Sequence, residues 1–242
     1  MPNTHQRSIM LVVGAALIFT AAGAQATLAQ VGHRPESSPY RDLRIKQTLT
    51  FMGGLLTGGG GKAGVGPSSG PLGGVRWDFH VGSSIALFLG GHASDLERRL
   101  INPIEPPGGG RELGTAQQNV WMAEGGINLL LTGRKTWHGF APYAGAAFGM
   151  VFGTEVPEDS VFTFGRKFHI GPAAGIRFFL NRRFHIRLEA RDIIWRMTYP
   201  QVFLTIPEGE PQIPVIDGDV STLAEWVHHP TFFIGLGWTL RF

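Results

Sequence analysis

Apolar and polar side chains alternate with a period of two along much of this chain, and this pattern predicts half-buried β-strands. The last dozen residues show the alternation most clearly, because one face is entirely apolar and the other carries Thr, Gly and Arg. The apolar positions are Phe232, Ile234, Leu236, Trp238, Leu240 and Phe242. The sequence therefore predicts a closing strand that ends on an aromatic residue.

Glycine, proline and polar turn signals divide the chain into eight candidate strands of this kind. Each is about as long as a tilted strand must be to cross a bilayer. The predicted strands are 43–56, 72–81, 85–93, 119–131, 141–154, 164–179, 184–197 and 231–242. Tight turns alternate with longer connections, of which the longest are 57–71, 94–118 and 198–230. This alternation is typical of transmembrane barrels whose long loops lie outside the cell.

The two faces of the predicted strands carry different kinds of side chain. In the seventh strand Phe184 and Leu188 share one face, whereas Arg187, Glu189 and Arg191 share the other. Eight strands enclose a narrow interior that side chains fill, and glycine with opposite charges packs there more easily than tryptophan or phenylalanine. We therefore expect the apolar face to contact lipid and the closed sheet to pair every backbone group.

Charged residues on the opposite face are expected to meet in the lumen. Such groups are costly to bury unless they are paired, so we expect an ion-pair network that plugs the barrel and fixes its register. A gated path for solutes is the alternative. The predicted members are Arg76, Asp78, Glu124, Arg177, Arg187, Glu189, Arg191 and Arg241.

The first 26 residues have the layout of a secretory signal peptide. A polar start with Arg7 precedes an apolar run at 9–22, and small residues follow at Ala24 and Ala26. Cleavage is expected after Ala26; the run is short for the other interpretation, a membrane anchor. The predicted organisation is a signal peptide at 1–26, a periplasmic leader at 27–41 and an outer-membrane barrel domain at 42–242.

Composition narrows the chemistry that this chain can perform. Removal of the signal peptide leaves 20 basic and 18 acidic residues, so nucleic acid is not an expected partner. The absence of cysteine excludes disulfides and Cys-based metal sites. The adjacent His228 and His229 point to opposite sides of an extended chain and are not expected to share a metal ion. No spacing orders Ser, His and Asp into a triad. We therefore expect no catalytic residue, no metal and no cofactor.

The segment from Tyr199 to Pro230 contains no lysine or arginine. Its acidic residues are Glu208, Glu210, Asp217, Asp219 and Glu225. One interpretation is a solvated extension of the strands above the membrane. The other is a surface for a partner, or for divalent ions beside lipopolysaccharide phosphates.

Three stretches resemble a known family. The stretch 171–192 resembles the penultimate hairpin of small outer-membrane barrels, and Pro142-Tyr143-Ala144-Gly145 is similar to the start of their fifth strand. With the closing strand, the chain resembles the eight-stranded outer membrane protein beta-barrel domain group, related to the barrel of outer-membrane protein A. The resemblance implies an all-β, closed, antiparallel up-and-down barrel. It also implies that Trp238, Leu240 and Phe242 form the signal read by the barrel assembly machinery.

The resemblance names an architecture, and its expected partners are outer-membrane lipid and lipopolysaccharide around a monomer. The expected function is envelope support, or binding of partners through the extracellular loops, without catalysis. A small solute channel and a lipid A-modifying enzyme are the alternatives. The deacylase family carries a His-x-Ser-Asn type motif. Here Gly171 and Arg187 occupy the position of the serine, two residues after His169 and His185.

Overall fold

The structure is a computed structural model that describes residues 38–156, 161–204 and 213–241. The predicted signal peptide, most of the predicted leader, and Glu208, Glu210 and Phe242 lie outside the described residues. For Arg241 the strand is described, but the side chain is not.

Eight of the ten strands in the described residues form a closed antiparallel barrel. The strands in chain order are β1 (Tyr40–Asp42), β2 (Gln47–Leu56), β3 (Gly70–His80), β4 (Ile85–Ile101), β5 (Glu112–Leu130), β6 (Lys135–Trp137), β7 (Phe140–Gly153), β8 (Arg166–Phe179), β9 (Phe184–Thr198) and β10 (Ala224–Arg241). Each barrel strand pairs with the next, and β10 pairs back with β2. The short strands β1 and β6 pair with each other as a ribbon at one end, and β6 also pairs with β7. The predicted eight-stranded up-and-down barrel is confirmed.

Short and long connections lie at opposite ends of the barrel. The turns at 81–84 and 180–183, together with the β1–β6 ribbon, mark one end. Four longer connections mark the other end, at 57–69, 102–111, 154–165 and 199–223. Two short 3-10 helices lie in the last of these. Among the residues that the structure describes, no helix is long and apolar enough to span a membrane.

Strand continues into two of the predicted loops. Strands β4 and β5 continue to Ile101 and Glu112, so the predicted loop 94–118 shrinks to a connection at 102–111. Likewise, β10 begins at Ala224, inside the predicted loop 198–230. The period of two continues through these extensions, but most of their outward positions are polar, as at Asp95, Glu97, Gln117 and His228. In the other direction, the predicted first strand is shortened, because residues 43–46 connect the ribbon to β2.

A continuous apolar band surrounds the outer wall of the barrel. Aromatic side chains lie at both of its edges, with Trp77 and Trp238 towards the short-turn end and Trp121 towards the long-loop end. Leu236, between the edges, is 52% exposed. Beyond the long-loop edge the outward residues become polar, as at Asp95, Asn119, Asp192 and Arg196. An apolar band between aromatic girdles is the outer surface that a transmembrane barrel presents to lipid.

We expect Leu236→Arg to destabilise the barrel in lipid by about 2–4 kcal/mol, because it places a cation near the bilayer midplane. Asn119→Arg adds the same side chain to the outer wall beyond the band, where the cost falls to about 0–1 kcal/mol. Urea-dependent unfolding from lipid vesicles measures both values. Equal costs at the two positions would show that the apolar band does not contact lipid.

Candidate functional site

The inward face of β9 carries the centre of the candidate site. Arg187, Glu189 and Arg191 alternate with lipid-facing residues and are each at most 3% exposed. Gly175 pairs with Glu189 across the β8–β9 ladder. A Cβ atom at Gly175 would overlap the hydroxyl group of Tyr143. The missing side chain therefore leaves room for Tyr143 to reach the carboxylate.

Glu189 is the most highly coordinated carboxylate of the lumen. Its Oε2 atom accepts hydrogen bonds from Arg76 Nη1 at 2.9 Å and from the Tyr143 hydroxyl at 2.6 Å. Its Oε1 atom accepts from Arg191 Nε at 3.0 Å and from Arg191 Nη2 at 2.5 Å. The pair with Arg76 has no solvent-exposed side-chain surface on either partner. Glu189 thus joins β3, β7 and β9 across the lumen.

Two further carboxylates extend the network. Asp78 accepts from Arg76 Nε at 3.2 Å and from Arg187 Nη2 at 2.8 Å. Glu124 accepts from Arg191 Nη1 at 2.6 Å and lies 3.2 Å from His92 Nε2. The ion pairs run in alternating order through Arg187, Asp78, Arg76, Glu189, Arg191 and Glu124. We call these six residues the ion-pair chain.

One predicted member, Arg177, is not joined to the ion-pair chain by a salt bridge within the described structure, and the side chain of Arg241 is not described. Arg177 is buried, and its Nη1 atom lies 3.1 Å from His80 Nε2, but none of the salt bridges between described residues includes it. Its Nε atom has no partner within the described structure. Arg241 pairs with Gln47 through the β10–β2 ladder. The structure thus brings six of the eight predicted residues together.

The sequence interpretation missed several neutral or aromatic partners. Besides Tyr143 and His92, Asn128 Nδ2 lies 3.4 Å from Asp78. Phe88 lies under Arg76, with the guanidinium carbon 3.4 Å from the ring centroid. All four residues follow the inward period of their strands, so the strand phase was a usable signal. Charge alone does not identify them, because Tyr143, Phe88 and Asn128 are uncharged.

Above the ion-pair chain the interior is mainly apolar, although Arg98, Gln118 and His229 are also buried there. Here the inward positions of β9 become Ile193, Trp195 and Met197, and buried loop residues such as Phe164 and Phe203 pack with them. The Trp195 ring stacks on His229 at 3.9 Å and meets Phe164 edge to face at 5.6 Å. This apolar plug is a second filled level of the lumen, in addition to the predicted ion-pair network.

The long loops are tied together over the apolar plug. Glu225 accepts a hydrogen bond from the Tyr199 hydroxyl and another, at 2.6 Å, from the backbone nitrogen of Lys62. Burial and the bond to Glu225 raise the pKa of the Tyr199 phenol above its ordinary value. Arg111 donates to the backbone carbonyls of Ile213 and Pro214. Hydrogen bonds therefore join described parts of the connections 57–69, 102–111 and 199–223 at one end of the barrel.

The structure separates the acidic residues of the segment 199–230. Glu225 is an inward residue of β10, while Asp217 and Asp219 are exposed. Asp219 accepts from the backbone nitrogen of Ser221 at 2.9 Å, and its hydrogen bonds to Ser221 lower the pKa of the carboxyl group. The described residues contain no group of three or more His, Asp or Glu placed to hold a metal ion.

No known protein family and no curated protein matches this sequence. Solved structures share its fold at low sequence identity. Neisserial surface protein A is 7% identical, with 84% of this chain and 98% of that protein covered and a TM-score of 0.48. OprG from Pseudomonas aeruginosa is 11% identical, with 83% and 99% covered and a TM-score of 0.49. E. coli Outer Membrane Protein W is 14% identical, with 82% and 98% covered and a TM-score of 0.41.

These similarities concern the fold alone, and superpositions this loose carry no argument about function. The closed eight-stranded barrel follows from the strand pairings of this chain itself. The predicted resemblance to small eight-stranded outer-membrane barrels is confirmed at that level.

We expect Glu189→Ala to lower the free energy of unfolding by about 3–5 kcal/mol, because it leaves Arg76 and Arg191 buried with one partner fewer. Glu97→Ala is the matched control, since Glu97 is exposed on β4 and exposed ion pairs contribute about 0–1 kcal/mol. Urea-dependent unfolding in detergent compares the two variants. Similar small losses would show that Glu189 is not part of a buried network.

We expect Trp195→Ala to cost about 3–5 kcal/mol of unfolding free energy, since it opens a cavity in the apolar plug. Trp226→Ala removes the same side chain from a position that is 56% exposed and should cost far less. Urea-dependent unfolding in detergent measures the free energy of unfolding of both variants. A neutral Trp195→Ala would mean that the upper interior is loosely packed.

Proposed function

We propose that this chain is an integral outer-membrane protein whose barrel is closed to solutes. It acts without catalysis, by supporting the envelope or by binding partners through its extracellular end. The observation that carries this proposal is the filling of the lumen at two successive levels, first by the ion-pair chain and then by the apolar plug.

The outer wall supports the membrane location. Large apolar side chains cover it and are left exposed, including Phe51, Leu89, Phe148 and Ile234. A soluble barrel would bury such side chains, because exposed apolar patches of this extent are unfavourable in water. The predicted signal peptide is consistent with export, although its residues lie outside the described structure. Lipid and lipopolysaccharide are the partners that this band would contact.

The closing strand supports assembly by the outer-membrane machinery. Trp238 and Leu240 face outward on β10 and are 46% and 42% exposed. They alternate with Gly237 and Thr239, which face inward, so the folded strand has the amphipathic pattern that the proposed signal requires. Phe242 completes the pattern in the sequence and is part of the proposed signal.

The two filled levels favour a closed barrel over a channel. Salt bridges of the ion-pair chain connect non-adjacent strands, so guanidinium and carboxylate groups cross the lumen rather than line its wall. A solute would have to separate charged groups whose side chains are each at most 1% exposed. It would then have to displace Trp195 and Phe203, which are fully buried. Moving both layers at once would cost many times the thermal energy.

The side chains also favour a protein without catalysis. Hydrolysis by a triad needs a nucleophile, a base and an orienting carboxylate in hydrogen-bond contact. His228 lies 2.6 Å from Asp192 on the outer wall. Neither residue bonds to a hydroxyl group within the described structure. The pair therefore lacks the nucleophile that an acyl-transfer reaction on lipid A would need.

The extracellular end offers the surface for binding. Hydrogen bonds tie three long connections together there, so the surface is held by the barrel and needs little ordering on contact. Exposed Asp217 and Asp219, together with Glu97 and Glu105, give this end acidic groups, which stand among exposed cations such as Arg166 and Arg196. Basic partners, or divalent ions that bridge to lipopolysaccharide phosphates, match the acidic groups.

The experiment is planar-bilayer conductance of the purified protein, with a known porin as a positive control. The wild-type protein should show no stable current steps. The triple variant Glu189→Ala, Arg191→Ala, Trp195→Ala should conduct if it stays folded, because it removes side chains from both levels. Stable steps from the wild type would instead support the solute channel. A change in lipid A mass on expression would support the enzyme.

A further inference from the structure

A cavity of about 760 Å³ opens at the short-turn end of the barrel. Three arginines line it, Arg41, Arg44 and Arg182, together with Asp42 and Phe179. We call this cavity the vestibule. It lies at the opposite end from the apolar plug, and neither the ion-pair chain nor the loops of the long end contribute to it.

The walls of the vestibule are held by backbone hydrogen bonds. On one side the β1–β6 ribbon is fixed by bonds from Leu43 N to the Arg134 carbonyl at 2.7 Å and from His138 N to the Pro39 carbonyl at 2.9 Å. Phe179 N donates to the Gly139 carbonyl at 2.9 Å, which joins the end of β8 to the chain just before β7. The cavity is therefore built into the fold.

The vestibule has an excess of positive charge that the protein itself does not neutralise. No hydrogen bond or ion pair with another described residue involves the side chain of Arg41, Arg44 or Arg182, and all three are exposed. Asp42 is the one acidic residue in the lining. Four further cations lie in the same turns and connections, namely Lys46, Arg134, Lys135 and Arg183.

The floor of the vestibule adds to this charge. The guanidinium carbon of Arg177 lies 5.6 Å from the ring centroid of Phe179, and the Phe179 ring contacts His185 at 5.0 Å. Arg177 is 1% exposed and has no carboxylate within salt-bridge distance among the described residues. Neither ring nitrogen of His185 has a partner there. A buried cation under an apolar floor focuses a positive potential into the cavity above it.

We propose that the vestibule binds a phosphate group. Arginine presents donors in a planar fork that matches the oxygens of phosphate, and charge-assisted bonds of this kind are stronger than neutral ones. Three such forks around one cavity suit a ligand with several charged oxygens. That the vestibule opens to the periplasm rests on the proposed membrane orientation, whereas the phosphate binding itself does not.

The test is calorimetric titration of inorganic phosphate into the full-length protein in an uncharged detergent at low ionic strength. The wild type should bind phosphate saturably. The double variant Arg44→Gln, Arg182→Gln should bind at least about tenfold more weakly, because two charge-assisted contacts are lost. The control Arg166→Gln, Arg196→Gln removes the same charge from exposed positions at the opposite end and should change the affinity less than about twofold.

Absence of saturable binding by the wild type, or equal weakening by both double variants, would overturn the proposal. The first result would mean that there is no site, and the second that only net charge matters. Heat-modifiable migration on unboiled gels checks that each variant is folded. The titration does not depend on conductance, so failure here leaves the closed-barrel proposal intact.

Two sources could supply the phosphate, and nanodiscs distinguish them. If a lipid headgroup occupies the vestibule, phosphatidylglycerol nanodiscs should weaken phosphate binding relative to phosphatidylcholine nanodiscs. The vestibule double variant should abolish that difference. If the ligand is a soluble phosphate compound, binding should be the same in both nanodiscs. Either result supports a phosphate site, provided that the arginine variants behave as stated.

Discussion

The ion-pair chain is the constraint on which the rest of the barrel depends. Three carboxylates and three guanidinium groups alternate from Arg187 to Glu124, and none has appreciable contact with solvent. Each charge is costly alone and acceptable only with its neighbours. The ion-pair chain also fixes the register of strand pairing, because a slip of one residue would move the inward charges of a strand to the lipid face. Strand pairing and charge pairing therefore specify the same arrangement.

The polarity of both faces changes along the barrel axis, and this change explains the rest of the architecture. Within the apolar band, β9 places Arg187 and Glu189 inside and Leu188 outside. Beyond Arg191 the order reverses, with Trp195 inside and Arg196 outside. The outer medium changes from lipid to water at this level, so the apolar side chains turn to the interior. One continuous strand can thus serve a membrane barrel below and a conventional apolar core above.

The sequence was sufficient for the strands but not for their ends. Period-two alternation located all eight barrel strands, because it depends only on backbone geometry. It failed at 94–118, where Asp95, Glu97 and Arg99 were interpreted as loop residues although they are the water-facing side of a continuing strand. Strand ends are predicted from proline, glycine and polar turn signals, and polar residues on the water-facing side of a continuing strand resemble such signals.

Within the site, alternation and charge selected six residues that do meet, but not the distances between strands. Arg177 follows the same inward period, yet it lies beside His80 and makes no salt bridge with a carboxylate of the ion-pair chain within the described structure, because the shear of the barrel sets which inward side chains meet. Shear is set by pairings that are distant in sequence, and no local pattern records it. The same is true of the vestibule, whose arginines come from the β1–β6 ribbon side and from the β8–β9 turn.

A double-mutant cycle on Arg76 and Glu189 tests the central claim most directly, since these residues join β3 to β9 through a pair with no exposed surface. Unfolding free energies of the wild type, Arg76→Ala, Glu189→Ala and the double variant give the coupling between the two side chains. A buried pair predicts a coupling of about 1.5 kcal/mol or more, with the double variant less destabilised than the sum of the single variants. Additivity within about 0.5 kcal/mol would contradict the claim that the ion-pair chain is a coupled network that fills and fixes the barrel.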